Sequence, residues 1–149
     1  VSLENQVREK EKQNIPDITE KLEGKRILLA EDNELNAEIA ETVLVEAGIE
    51  VKRVEDGLQC IEELKKMPEN YYDVILMDVQ MPNMDGYTAT QRIRDLDDSR
   101  AEIPIIAMTA NAYDEDRRKA QEAGMDGFLA KPLDVDEMMR LLGKITKTE

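Results

Sequence analysis

The 149-residue chain has no histidine and no tryptophan, a single cysteine and few aromatics. Without His there is no His-based catalytic triad, no imidazole metal ligand and no phosphohistidine donor within this sequence. One thiol, Cys60, rules out an internal disulfide and any cysteine-rich zinc site. The aromatics are four Tyr and one Phe, too few for a base-stacking platform. Basic residues are also scarce: 20 Lys+Arg stand against 34 Asp+Glu, a net charge of −14. Such a surface opposes both a phosphate backbone and an anionic lipid face. No apolar run nears the roughly 18 residues of a membrane span, and no signal-peptide pattern opens the chain. A cytoplasmic setting, with at most a tether to a membrane-bound sensor, is the expectation. What is present is a 41% hydrophobic fraction on a length suited to one domain plus some extra chain.

Residues 1–24 differ from the rest. Their apolar positions are sparse, keep no helical period beyond a turn, and are interrupted by Pro16. They read as a linker or N-terminal extension, or as the end of a helix arriving from a preceding domain. From Lys25 the pattern alternates. Arg26–Ala30 reads as a buried strand, and Asn33–Ala47 as a helix with Leu35, Ile39, Val43 and Leu44, stopped by Gly48. Ile49–Val54 follows as a strand, then a helix from Asp56 with Leu58, Ile61 and Leu64, ended by Pro68. Asp73–Met77, the most apolar run, predicts the central strand. A loop over Met81–Gly86 leads into a helix with Ala89, Ile93 and Leu96. Ile103–Ala107 is a fourth strand, Tyr113–Ala123 a charged helix, Gly127–Ala130 a fifth strand and Val135–Ile145 the last helix. Five strands alternating with five helices predict a doubly wound α/β fold with a parallel sheet. In that class, function sits at the carboxyl ends of the strands.

Those ends carry Glu31 and Asp32, Asp78, Thr109 and Lys131. Taken singly, each has an ordinary reading: an acidic pair before a helix is usually a cap, a Thr a turn residue, a Lys a solvated charge. Asp78 is harder to dismiss, because it follows four apolar residues and must sit at the rim of the core. Three gathered carboxylates repel one another and invite a hard divalent cation, Mg²⁺ or Mn²⁺, with oxygen ligands. Beside such an ion Asp78 can stay ionised and attack phosphorus, with Lys131 neutralising charge and Thr109 donating a hydrogen bond.

From Lys25 to about Thr146 these motifs resemble the receiver domain of two-component response regulators. They are Leu-Leu-Ala-Glu31-Asp32-Asn, Val-Ile-Leu-Met-Asp78, Met81-Pro-Asn-Met-Asp-Gly86, Met-Thr109-Ala and Phe128-Leu-Ala-Lys131-Pro132. Their wording is similar to receivers of hybrid histidine kinases. The resemblance implies a flavodoxin-like (βα)5 fold with strand order 2-1-3-4-5, and domain limits of 25–146 followed by a polar tail, 147–149. It implies Asp78 as phosphoacceptor, Asp32 as direct metal ligand, Glu31 as its neighbour acting partly through water, and Gln80 lending a backbone carbonyl to the metal. Thr109 and Phe128 would be the switch pair and Lys131 the ammonium, with a cis Lys131–Pro132 bond. Gln80 and Asn111 would tune water access. The donor is a phospho-His on a histidine kinase or phosphotransfer protein, expected to dock against Leu35, Asn36 and Ile39 with Pro132 and Leu133. The surface of the fourth helix, fifth strand and fifth helix would change on phosphorylation and could carry a dimer.

The resemblance makes the chain a relay component and not a turnover enzyme: it would catalyse only its own phosphorylation and dephosphorylation. The expected parent is a hybrid kinase; a free-standing regulator is the alternative. The 18 residues after Lys131 (149 − 131) leave no room for an output domain within this sequence. An Mg-dependent phosphatase using an Asp nucleophile needs a second Asp two residues on, and Gln80 stands there. A nucleotide-binding domain is excluded by the lack of a glycine-rich phosphate loop.

Overall fold

The computed structural model describes residues 22–110 and 114–145. In chain order its elements are β1 (Arg26–Ala30), α1 (Glu34–Glu46), β2 (Glu50–Val54), α2 (Gly57–Lys66), β3 (Val74–Asp78), α3 (Gly86–Arg94), β4 (Ile105–Thr109), α4 (Asp114–Ala123), β5 (Gly127–Ala130) and α5 (Val135–Ile145). The strands form one parallel sheet in the order β2-β1-β3-β4-β5, so the chain reverses its winding direction between β1 and β3. This is the doubly wound architecture that the alternation predicts, with the flavodoxin-like strand order that the resemblance implies.

Each sheet face has its own core. Ile27, Leu29, Leu76, Ile106, Met108 and Leu129 point to one, covered by α1 through Ala37, Ala40 and Leu44 and by α5 through Met138 and Leu142. Leu28, Ile75, Met77, Ile105 and Ala107 point to the other, under α2, α3 and α4 through Cys60, Ile93 and Ala120. All five residues of β3 and of β4 are buried, as two-sided coverage of central parallel strands requires.

The helices begin where side chains cap them. Asn33, Asp56 and Asp85 each accept a hydrogen bond from the backbone N–H three residues on, at 2.9, 2.8 and 2.7 Å. Gly86 opens α3 because nothing larger fits: a Cβ there would strike the Asp78 carbonyl oxygen and come within 2.9 Å of Val79 Cα. That close approach holds α3 against the end of β3.

Three differences from the sequence reading have physical causes. The fourth strand runs two residues later than Ile103–Ala107. Ile103 instead closes a 3-10 turn over Ser99–Glu102, donating to the Arg100 carbonyl, and Pro104 has no N–H for a ladder. In α1 the sheet-facing stripe is Ala37, Ala40, Leu44 and Ala47, while Leu35 and Ile39 are 65% and 52% exposed. Small side chains let the helix lie close to the strands, so the larger apolar residues face out. Finally, the end of the polar segment packs onto the domain. Leu22 is fully buried in the α1/α5 core, the Lys25 N–H donates to its carbonyl, and Gly24 N–H donates to the Gly48 carbonyl. The polar segment read as 1–24 therefore contributes a core residue at its end. Residues 1–21, Asn111 and 146–149 lie outside the described residues, so the tuning role read for Asn111 and the domain end near Thr146 do too.

Candidate functional site: an acidic cluster at the sheet's carboxyl edge

β1 and β3 are hydrogen-bonded neighbours, with Ala30 in register with Met77. The next residues along each strand, Glu31 and Asp78, are therefore brought side by side. Glu31 is held there by its own N–H, which donates to the Val54 carbonyl at 3.0 Å. The ligating oxygens of Glu31, Asp32 and Asp78 lie within 4.8 Å of one another. Glu31 and Asp78 are buried and Asp32 is exposed.

Lys131, just past β5, reaches across to this cluster. Its ammonium lies 2.9 Å from Asp78 Oδ2 and 2.9 Å from Glu31 Oε1. Its N–H donates to the Thr109 carbonyl at 2.7 Å, which fixes the loop that carries it, and the Lys131–Pro132 peptide is cis as expected. Asp78 Oδ1 accepts from the Gln80 N–H at 3.0 Å, and Glu31 Oε2 from the Asn33 N–H at 3.1 Å. Backbone amides thus aim both carboxylates.

The electrostatics are unbalanced. Burial is the main reason that the Glu31 carboxyl stands above its ordinary range; Lys131 opposes this, while Asp78 adds to it. Burial also works against the Lys131 ammonium, yet the hydrogen bonds it donates to Asp78 and Glu31 more than offset it and its pKa is raised. The two directions are compatible because Lys131 has two carboxylates to itself, whereas Glu31 shares one cation and faces a second anion. The cluster therefore holds more negative charge than its cation satisfies. Its donors are all hard oxygens, which suits a small divalent ion.

The remaining predicted residues fall into two groups. Thr109 is buried at the end of β4. It lies two residues beyond Ala107, the register partner of Phe128, so both side chains share the α4 face of the sheet. Phe128 is half-buried, packs against that core, and carries the Arg117 guanidinium 5.2 Å from its ring centre. Leu35, Asn36 and Ile39 form an exposed strip on α1 just beyond the acidic pair. Pro132 is exposed, and Leu133 is half-buried against the α1/α5 core.

Two residues that the sequence reading passed over also serve this edge. The Arg53 guanidinium donates to the carbonyls of Glu31 and Asp32, and buried Asp56 accepts from Asn83 in the loop after β3. Their only sequence signal is proximity to a strand end.

The model for the response regulator receiver domain matches residues 27–143. The chain belongs to this family. This receiver is similar to segments of much larger kinases. The chain is 40% identical over 124 residues to the peroxide stress-activated histidine kinase mak1 of Schizosaccharomyces pombe, covering 82% of the chain but 8% of that protein. It is 39% identical over 116 residues to the Escherichia coli sensor histidine kinase RcsC, covering 78% of the chain and 12% of RcsC. Among solved structures, it matches the receiver domain of the Pseudomonas aeruginosa sensor histidine kinase PA1611 at 41% identity and a TM-score of 0.75. That match covers 84% of this chain and 99% of the other, whose active site cleft coordinates a magnesium ion. Vibrio cholerae chemotaxis protein CheY4 shares the fold, with a TM-score of 0.73 and 25% identity, covering 81% of this chain and 98% of CheY4. The receiver is thus homologous to those of hybrid histidine kinases, and its place in two-component phosphorelay signalling follows. Among the described residues, no helix is long and apolar enough to cross a membrane.

Proposed function

We propose that this receiver accepts a phosphoryl group on Asp78 from a phospho-His donor and passes the event to its α4-β5-α5 surface. The observation that carries the reading is the Lys131 ammonium bridging Asp78 and Glu31 at 2.9 Å each, with Asp32 alongside. Asp32, Asp78 and the backbone carbonyl of Gln80 would hold Mg²⁺, or Mn²⁺ in its place, with Glu31 acting partly through water. When bound, the ion supplies charge neutralisation for the transferring phosphoryl oxygens.

This chain's own residues do the rest. An Asp78 carboxylate oxygen attacks phosphorus, the P–N bond to the donor imidazole breaks, and the bonding pair leaves with the imidazole. Burial and the Gln80 N–H hold Asp78 in place for that attack. Lys131, already paired with Asp78, can follow the charge onto the phosphoryl oxygens. Thr109, on the α4 face of the sheet end, would donate to one of those oxygens, and Phe128 on the same face would repack against the space this opens. The modification adds close to two negative charges and three acceptor oxygens, enough to bias a two-state surface. Here the switch acts by packing alone, since Phe128 has no polar tip.

The chain performs only its own phosphorylation and dephosphorylation, and the turnover activity belongs to a parent histidine kinase. Residues 25–146 act as the receiver, 147–149 as a polar tail, and residues 1–24 as a connection to the rest of the hybrid kinase, packed onto the domain through Leu22. The exposed Leu35–Ile39 strip with Pro132 and Leu133 receives the donor helix, while α4-β5-α5 can support a phosphorylation-dependent dimer.

The test is incubation with Mg²⁺ and acetyl phosphate followed by intact-mass measurement. One added phosphoryl group is expected, absent without the metal and absent in Asp78→Asn. Persistence of the added mass in Asp78→Asn would place the acceptor elsewhere.

A further inference from the structure

The junction of β2 and α2, from Arg53 to Gly57, holds both loops that carry the acidic cluster. On one side it grips the Glu31–Asp32 segment. Arg53 Nε donates to the Glu31 carbonyl at 3.1 Å and Arg53 Nη2 to the Asp32 carbonyl at 3.2 Å, while the Val54 carbonyl accepts from the Glu31 N–H at 3.0 Å. A planar fork spanning two successive carbonyls sets the orientation of the peptide between them, which a point charge on a flexible stem does not. Asp32 is exposed, so packing does not fix where its side chain leaves the backbone.

On the other side the turn grips the loop that follows Asp78. Asp56, only 4% exposed, accepts from Asn83 Nδ2 at 2.7 Å with one oxygen and from Gln59 N–H at 2.8 Å with the other. The Gly57 N–H donates to the Met84 carbonyl at 3.1 Å. Asn83 itself sits at φ +65°, a left-handed conformation that the hydrogen bond to Asp56 helps to hold. This loop begins at Gln80, whose N–H aims Asp78.

We infer that Arg53 and the Asp56–Asn83 pair are positioning residues for metal binding: from one turn they set the spacing of the two loops whose oxygens close on the cation. The inference rests on the reading under Proposed function and deepens it. Two physical effects of Arg53 oppose each other. As a cation beside the cluster it repels a second cation, so a purely electrostatic role predicts that Arg53→Gln tightens Mg²⁺ binding and that Arg53→Lys changes nothing. As a fork on two carbonyls it orders the site, so positioning predicts that both substitutions weaken binding.

The experiment is Mg²⁺ titration calorimetry on the metal-free chain, with the thermal midpoint of each metal-free variant and its phosphorylation rate by acetyl phosphate at saturating Mg²⁺. Arg53→Lys should raise the Mg²⁺ dissociation constant about tenfold, the lower end of what loss of a residue supporting metal ligands usually costs. Asn83→Gly, which keeps the left-handed backbone accessible while removing the amide donor, should shift it in the same direction. Both should retain most of their rate at saturating metal. Unchanged affinity in Arg53→Lys together with tighter binding in Arg53→Gln overturns the inference while leaving the phosphoacceptor reading intact. Wild-type protein that neither binds Mg²⁺ nor gains a phosphoryl group overturns both.

Discussion

At the scale of single residues, gathering buried carboxylates at the sheet edge costs the metal-free fold stability. Glu31 shows this most clearly. Its carboxyl is held above its ordinary value of 4.5, chiefly by burial and further by Asp78. A group with a raised folded-state pKa binds its proton more tightly when folded. The stabilisation is therefore complete at low pH and is lost as pH rises from the ordinary value through the raised one. Above the raised value the ionised Glu31 consequently weakens the metal-free fold. Glu31→Gln is expected to raise the thermal midpoint of metal-free protein at pH 7 and to weaken Mg²⁺ binding at the same pH. A lowered midpoint with unchanged affinity would contradict this account. Lys131 is the opposite case: its raised pKa means that its contribution is intact below the ordinary value of 10.5 and is lost only at higher pH, so the pairing persists across neutral conditions. Away from the site, the Cys60 thiol is fully buried and pushed up to about 12, which leaves it protonated and shielded.

At the scale of elements, the register of β4 and β5 decides whether the site can speak to a surface. Thr109 and Phe128 share the sheet face under α4, and the far end of α4 is held by Arg94 of α3. Its guanidinium donates to the Gly124 carbonyl at 2.9 Å and pairs with Asp126 at 2.8 Å. It also donates to the Ala101 and Ile103 carbonyls, so one cation ties the carboxyl end of α4 to the body of the domain. Under the proposed switch, motion driven from Thr109 would be confined to the amino end of α4. A coupling of about 1–3 kcal/mol is typical between such sites. Thr109→Ala is expected to accept the phosphoryl group yet lose the phosphorylation-dependent change in amide exchange or chemical shift over α4, β5 and α5. A full change in that variant would refute the coupling.

For the whole molecule, the proposed docking would combine the net charge of −14 with the exposed Leu35 and Ile39 beside the acidic cluster. An acidic body selects against non-specific anionic partners, and the apolar strip next to the site offers a donor helix something to bury. Leu35→Arg is expected to slow transfer from a phospho-His protein about tenfold, a loss on the scale of one truncated anchor, while leaving acetyl phosphate reactivity unchanged. Equal slowing of both would show that the substitution damages the site and not docking.

Much of this protein is legible in its residue order because local rules and global fold agree. Alternating apolar periods, Asn33, Asp56 and Asp85 before their helices, and carboxylates just after apolar runs all report on neighbours close in sequence. Asp78 and Glu31 stand out for that reason: a charge at the end of a buried strand has nowhere to go except the rim. What stayed hidden depends on contacts between segments far apart. The outward turn of Leu35 and Ile39 follows from how closely α1 lies on the sheet, and the burial of Leu22 from the packing of α1 and α5 around it. The grip of Arg53 and Asp56 on the two loops is made of hydrogen bonds to a distant backbone and a distant side chain, which no spacing rule encodes. The residue order alone determined the elements, the strand ends and the kinds of chemical groups on them. Only the tertiary structure decided how near those groups come and which neighbours hold them, because separation and burial arise when strands pair and helices pack.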